Sequence, residues 1–201
     1  MHATKERLLE QGLALLLEHG YNHLGIQSIL ARTGVPKGSF YHHFPSKEEM
    51  ALQAVDLYVS LGHQLLELTL TPDGRAPLLR IRGFFERLRE LYASQGYLGC
   101  LLGALGQELS GANEVFRKKI EECVASIAGR IAVCLEEARQ AGDLPRGLDS
   151  EGYADALVNA WEGAALRSRL LRSPAPLDAF LDFYLPVQRA GNTSNIDPVS
   201  L

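Results

Sequence analysis

The chain has 201 residues, of which 46% are hydrophobic and 22% are charged, a composition typical of a soluble globular protein with one large core or two small ones. Its formal net charge of −4 excludes a protein that coats nucleic acid with a uniformly basic surface. The charge is compatible with an acidic protein that has one basic face. Residues 1–47 contain five basic and three acidic residues, and they also contain five of the six histidines. This N-terminal quarter is therefore the part of the chain best suited to bind a polyanion.

Neither a membrane span nor a secretion signal is expected. The longest stretch without a charged residue, 91–107, contains four glycines and several polar residues, and it is too polar to span a bilayer. The first ten residues include acidic side chains and no apolar run, which predicts a cytoplasmic protein. Three widely spaced cysteines do not make a disulfide framework.

Apolar residues recur at helical spacing along most of the chain, and no convincing strand alternation is present. Local signals predict the helix ends: Gly20 and Gly34 suit C-terminal positions, Pro36 suits a first turn, and Ser46 with Glu49 forms a capping box. The sequence predicts an all-α fold with about nine helices, three short ones followed by six longer ones. The predicted helices cover residues 4–19 (capped by Thr4), 27–33, 37–43, 47–70, 78–93, 99–109, 112–141, 150–172 and 177–188.

The stretch IQSILARTGVPKGSFYHHFPSKEEM, residues 26–50, predicts a helix-turn-helix. Two short helices joined by a tight turn at Gly34 allow the second helix to enter a DNA major groove. We expect Val35, Phe40 and Phe44 to pack inward. From spacing alone, an ordinary surface turn between two helices fits equally well. The candidate DNA-binding residues are Lys37, Gly38, Ser39, Tyr41, His42 and Lys47.

The segment GVPKGSFYHHFPSKEEM, with the Gly20-Tyr21 pair ahead of it, resembles the recognition-helix signature of the TetR family of transcriptional repressors. The resemblance covers residues 4–55. It implies an all-helical homodimer in which residues 1–47 form a three-helix domain that binds double-stranded DNA at a palindromic operator. Residues 48–190 would then form a domain of about six helices that binds an effector and dimerises. Residues 191–201 have no core-forming pattern and are expected to be a mobile tail.

The same resemblance implies a role for each candidate DNA-binding side chain. Lys37, Ser39 and His42 would contact base edges or adjacent phosphates, and Tyr41 and Lys47 would contact phosphates. Family members usually place a threonine near the start of the second helix, whereas this chain has Leu24-Gly25 there and lacks that hydroxyl.

Cys100 lies in the segment YLGCLLGALGQELS, residues 97–110, and is predicted in the first turn of a helix. The helix dipole would lower the pKa of a thiol there, which makes Cys100 a candidate sensor of electrophiles or oxidants; a small core residue is the alternative. The GCL motif resembles TetR repressors that respond to N-ethylmaleimide-type electrophiles, reactive aldehydes, hypochlorite or acrylate through this cysteine. Arg167 and Arg169 are possible cationic partners, and Cys123 and Cys134 are interpreted as inert core.

A pocket is expected between the helices of the larger domain. We expect dimerisation through the last two predicted helices. A regulator with a non-covalent hydrophobic ligand, and Cys100 as core, is the alternative. The candidate pocket residues are Phe85, Leu88, Tyr92, Cys100, Ala104, Phe116 and Trp161, with Gln107 and Glu162 as polar groups.

Two other function classes fit less well. A cysteine hydrolase or transferase needs a histidine beside the nucleophile, but no histidine follows His63. No cysteine–histidine pair has metal-ligand spacing, so neither a metal nor a cofactor is expected. The sequence therefore predicts a DNA-binding repressor rather than an enzyme, with effector binding or Cys100 modification linked to DNA release through the long helix that begins at Lys47.

Overall fold

The computed structural model describes residues 2–186; the predicted tail, 191–201, and the end of the predicted last helix lie outside the described residues. Over this range the chain forms nine helices and no strand, which confirms the all-α prediction. No helix among these residues combines the length and apolar character that a membrane crossing requires. The helices are α1 (His2–His19), α2 (Ile26–Thr33), α3 (Lys37–His43), α4 (Lys47–Leu70), α5 (Pro77–Ser94), α6 (Leu101–Leu109), α7 (Glu114–Ala141), α8 (Ser150–Leu171) and α9 (Ala175–Tyr184).

Most helix ends follow local capping signals. The Ser46 side chain accepts a hydrogen bond of 3.0 Å from the Glu49 N–H and fixes the start of α4. Gly34 closes α2 in the left-handed conformation, with φ of 66°. The prediction that Thr4 caps the first helix is wrong, because α1 already begins at His2. The last helix is shorter than predicted and ends at Tyr184.

Two hydrophobic clusters form the interior. The first joins α1, α2 and α3 to the first half of α4, to α6 and to the first half of α7. The second joins the far half of α4 to α5, the far half of α7, α8 and α9. The N-terminal helices therefore rest on α6 and α7, and α4 and α7 pass through both clusters.

The arginines of α5 do not share one solvent-facing side. Helical spacing predicts a solvent-facing side of this helix that carries Arg80, Arg82, Arg87 and Arg89. The prediction is wrong for Arg80, which is 2% exposed. Its guanidinium donates to the Leu70 carbonyl at the end of α4 and pairs with Glu137 on α7. Arg82 donates to the carbonyls of Leu181, at 2.9 Å, and Leu185 at the end of α9. Guanidinium groups thus satisfy carbonyls at the ends of α4 and α9.

Candidate DNA interface and effector cavity

Helix α3 is anchored by apolar residues on one side and exposes polar residues on the other. Val35, Phe40 and Phe44 are buried, as predicted, and the rings of Phe40 and Phe44 lie 5.5 Å apart. Tyr41 is 47% exposed. Lys37, Gly38 and His42 are also exposed, and Ser39 is partly exposed. These five predicted DNA-binding residues therefore share one helix that stands on the surface.

Lys47 is placed differently from the other predicted DNA-binding residues. Its Nζ donates to the Tyr21 carbonyl at 3.1 Å and lies 4.1 Å from the centre of the Tyr21 ring. A cation over an aromatic face is attracted to the ring quadrupole. Lys47 therefore holds the turn after α1 as well as beginning α4, and its contact with a phosphate stays a prediction.

The turn after α1 is also held by Glu108, near the C-terminal end of α6. The carboxylate accepts from the backbone N–H groups of Tyr21, at 2.8 Å, and Asn22, at 2.6 Å. Gly20 has a φ of 75°, and a β-carbon there would lie 2.7 Å from Glu108 Oε2. The Tyr21 ring packs 5.1 Å from the Phe116 ring. Helix α6 thus binds the DNA-binding helices directly.

Sequence reasoning missed Glu108. The Gly20-Tyr21 pair marks the turn that Glu108 binds, but the carboxylate lies 87 residues away along the chain. Short-range patterns do not report contacts over such a separation.

A cavity of about 180 Å³ lies among α1, α4, α5, α7 and α8 and reaches the N-terminus of α6. A second cavity, of about 360 Å³, lies between α6 and α8. Cys100 and Glu162 line both cavities and separate them. The first is lined by six of the predicted pocket residues, Phe85, Leu88, Tyr92, Cys100, Trp161 and Glu162.

The other three predicted pocket residues lie elsewhere. Ala104 and Gln107 line the second cavity rather than the first. The prediction for Phe116 is wrong, because this ring lines neither cavity and is fully buried against Tyr21. Phe116 belongs to the first turn of α7, which packs under the N-terminal helices, and not to the part of α7 beside the first cavity.

Cys100 is the N-cap of α6 and does not belong to its first turn. Burial, followed by the negative charge of Glu162, raises the pKa of its thiol to about 12. The predicted lowering of this pKa is therefore wrong, since the opposing hydrogen bond from the Gly103 backbone N–H is weaker than these two effects. The hydroxyl of Tyr58 donates to Cys100 Sγ at 3.7 Å. At neutral pH the thiol carries its proton.

Of the two predicted cationic partners, Arg169 lines the second cavity together with Cys100, and Arg167 does not. Arg169 donates to the Leu98 carbonyl at 2.9 Å, and Arg167 is exposed. The charged group beside the thiol is the Glu162 carboxylate, whose own pKa is raised by burial. Cys123 and Cys134 are buried, as predicted. Burial raises the pKa of Cys134 to about 11.

A helix-turn-helix with an exposed second helix, packed on a larger helical unit that contains a cavity, defines a DNA-binding regulator with a ligand-binding domain. Residues 8–54 match the family of bacterial regulatory proteins of the tetR type, and residues 77–184 match the tetracyclin repressor-like C-terminal domain. The chain belongs to the TetR family. The sequence-based prediction of a DNA-binding transcriptional regulator, and not an enzyme, is confirmed.

Curated relatives and a solved structure are similar over nearly the whole chain. The transcriptional regulator AcuR of Cereibacter sphaeroides is 36% identical, over 87% of this chain and 80% of its own length. The repressor DhaR of a Mycobacterium species is 33% identical, over 89% and 88%. The crystal structure of the reduced form of Escherichia coli NemR aligns with a TM-score of 0.83 and 29% identity, over 91% of this chain and 95% of that chain.

Proposed function

We propose that the protein is a homodimeric transcriptional repressor that binds a palindromic operator and releases it when an effector occupies the first cavity. The observation that carries the proposal is helix α3, whose apolar residues are buried while Lys37, Tyr41 and His42 are exposed. The relatives DhaR and NemR are both named transcriptional repressors, and NemR is 30% identical over 88% of this chain. Because its target is operator DNA, its proposed place of action is the bacterial cytoplasm.

The proposed DNA contacts divide into two kinds. Lys37, Ser39 and His42 would read base edges or adjacent phosphates, while Tyr41 and Lys47 would bind phosphates. Gly38 is exposed, and a β-carbon there would meet no protein atom within 4 Å, so its backbone is open to close approach by DNA. Two copies of α3 in a dimer would meet successive major grooves roughly 34–36 Å apart.

The proposed dimer interface uses α8 and α9. Large apolar side chains of these helices are exposed, among them Leu170 at 69% and Phe183 at 78%. Leu166 and Leu171 are further exposed apolar side chains of α8. Packing of α8 and α9 against their symmetry mates would bury this surface in a four-helix interface.

The proposed effector mechanism has two versions. In the first, an electrophile or oxidant modifies Cys100; in the second, a hydrophobic ligand binds without a covalent bond. Two helices connect the cavity to the DNA-binding helices: α4 begins at Lys47 and lines the cavity at Tyr58 and Leu65, and α6 joins Cys100 at its start to Glu108 near its end. Either version would bias the larger domain toward a state in which the two α3 helices no longer fit the operator.

Operator affinity tests the proposal. A duplex selected from random sequence by the wild-type protein is titrated by fluorescence anisotropy, with and without N-ethylmaleimide. We expect treated wild type to release DNA and Cys100→Ser to retain it, with Cys134→Ser as the matched cysteine control. If Cys100→Ser releases DNA equally well, Cys100 is not the switch.

The DNA-binding surface is tested separately with two exposed lysines. Lys37→Ala should weaken operator binding and reduce its dependence on salt concentration, because one fewer phosphate or base contact forms. Lys118→Ala on α7 removes an exposed lysine, paired with Glu114, that lies away from α3, and should leave binding unchanged. If Lys37→Ala and Lys118→Ala bind the operator with equal affinity, the assignment of α3 as the DNA-binding helix is contradicted.

A further inference from the structure

The indole of Trp161 is a buried hydrogen-bond donor that no described residue satisfies. Trp161 on α8 is 3% exposed, and its Nε1 atom has no hydrogen-bond partner among residues 2–186. The Tyr92 hydroxyl lies near this nitrogen, but the two groups do not reach hydrogen-bonding geometry. A buried donor without a partner is rare in native proteins, because nothing offsets the free energy that its desolvation costs. Such a donor therefore indicates an acceptor from outside the chain.

The first cavity is the place where that acceptor can bind. Trp161 and Tyr92 both line it, and most of its other walls are apolar. The ring centres of Phe85 and Tyr92 lie 5.0 Å and 5.9 Å from that of Trp161. Burial raises the pKa of Tyr92 well above its ordinary value of 10, so its hydroxyl keeps its proton. The Tyr58 hydroxyl already donates to the Cys100 sulfur, whereas the Trp161 N–H stays open.

The size and the walls of this cavity define the molecule that fits. An apolar cavity of about 150 Å³ takes up benzene, and the first cavity measures about 180 Å³. It therefore has room for one aromatic ring with a short substituent. The ring would pack against Phe85 and Trp161 in the offset or edge-to-face arrangements that aromatic groups prefer. An oxygen on the substituent would accept from the indole N–H.

We propose that Trp161 determines the ligand specificity of the first cavity, where its indole N–H donates to the carbonyl oxygen of a small neutral aryl ketone that binds without a covalent bond. The proposal rests on the non-covalent version of the proposed function. Specificity arises because an apolar molecule of the same shape leaves the buried N–H unsatisfied. The carbonyl oxygen should therefore increase affinity roughly tenfold through this one contact.

Acetophenone and α-methylstyrene test this hydrogen bond, because they share a shape and differ in a carbonyl oxygen against a CH₂ group. Trp161 is the only tryptophan, so its indole N–H gives one isolated cross-peak in a nitrogen–proton correlation spectrum. Both ligands carry the same aromatic ring, but only acetophenone offers an acceptor. We expect acetophenone to move the indole proton further downfield than α-methylstyrene does. A cross-peak that moves equally with both ligands, or with neither, overturns the proposal.

Equilibrium dialysis measures the affinity of both ligands for the wild type and two variants. Trp161→Phe keeps an aromatic ring but removes the N–H, and it should weaken acetophenone roughly tenfold more than α-methylstyrene. Phe85→Leu removes a neighbouring ring of the same cavity without removing a donor, so it should weaken both ligands by the same factor. If Trp161→Phe weakens both ligands equally, the N–H does not anchor the oxygen. The comparison of cross-peaks decides alone if Trp161→Phe does not fold.

Operator release is measured separately, by fluorescence anisotropy with acetophenone and with N-ethylmaleimide. If acetophenone shifts the Trp161 cross-peak but leaves the operator bound, the role of Trp161 stands and the first cavity is not the effector site. If acetophenone does not bind while N-ethylmaleimide releases the operator, the role of Trp161 is overturned and the repressor proposal stands in its covalent version.

Discussion

Replacing Glu108 with glutamine tests whether α6 holds the DNA-binding helices in position. The carboxylate accepts from two backbone N–H groups, those of Tyr21 and Asn22. Glutamine offers one oxygen and one amide NH₂, so one of the two N–H groups would face another donor. Hydrogen bonds to charged groups contribute about 1.5–3 kcal/mol each. Since one bond is lost and the other becomes neutral, we expect the free energy of unfolding to fall by about 2 kcal/mol.

Urea denaturation measures this loss through two signals. Far-UV circular dichroism reports all helices, and the fluorescence of Trp161, the only tryptophan, reports the cavity. Operator affinity should also fall, because α1, α2 and α3 lose a contact that fixes their orientation on α6. Glu121→Gln provides the matched control, since that glutamate is exposed on α7. If Glu108→Gln unfolds within about 0.5 kcal/mol of wild type and binds DNA equally well, the contact does not couple the two regions.

Three further predictions concern assembly, acid stability and the turn before α3. Leu170→Glu should convert a dimer to monomers in sedimentation experiments, whereas Leu68→Glu, at an equally exposed leucine on α4, should not. Hydrogen bonds, first from Arg139, lower the pKa of Glu136 to about 2 from an ordinary value of 4.5. Its stabilisation is therefore full above pH 4.5 and lost as the pH falls toward 2, so the wild type should be more stable than Glu136→Gln at pH 7 and lose that advantage near pH 2, as measured by thermal unfolding. Gly34→Ala should lower the free energy of unfolding by about 1–2 kcal/mol in urea titrations, because alanine strains at a φ of 66° where no neighbouring atom lies within 4 Å.

The helix-turn-helix could be predicted because its determinants are local. Ser46 and Glu49 bond to each other within one helical turn, and Gly34 supplies the left-handed conformation that ends α2. The 3.6-residue period places Phe40 and Phe44, four positions apart, on one face, and turns Tyr41 about 100° away from Phe40. Signals of this kind need no knowledge of the remainder of the fold.

The electrostatics of the effector site could not be predicted, because they depend on which helices meet. A cysteine at the start of a helix is expected to have a lowered pKa, but α8 brings Glu162 beside Cys100 and the surrounding helices bury the thiol. Arg80 shows the same limit. Its position on α5 predicts a side chain that faces solvent, but the side chain is buried, where it donates to the Leu70 carbonyl and pairs with Glu137. Periodicity identifies an apolar face, but it does not identify the polar groups that a neighbouring helix presents.

Helix α6 is short, so the proposed switch at Cys100 lies close to Glu108, which holds the turn after α1. Cys100 and Glu108 are eight positions apart, about 12 Å along a helix, and Leu101 and Leu105 between them are fully buried. A nine-residue helix with buried side chains does not absorb added volume by bending, so a group attached at Cys100 would shift α6 as a unit. The shift would act on the hydrogen bonds of Glu108 to the turn after α1. Losing about 2 kcal/mol there changes the ratio of two conformations roughly 30-fold, which is about a third of the ~5.5 kcal/mol that moves an equilibrium from 1:99 to 99:1.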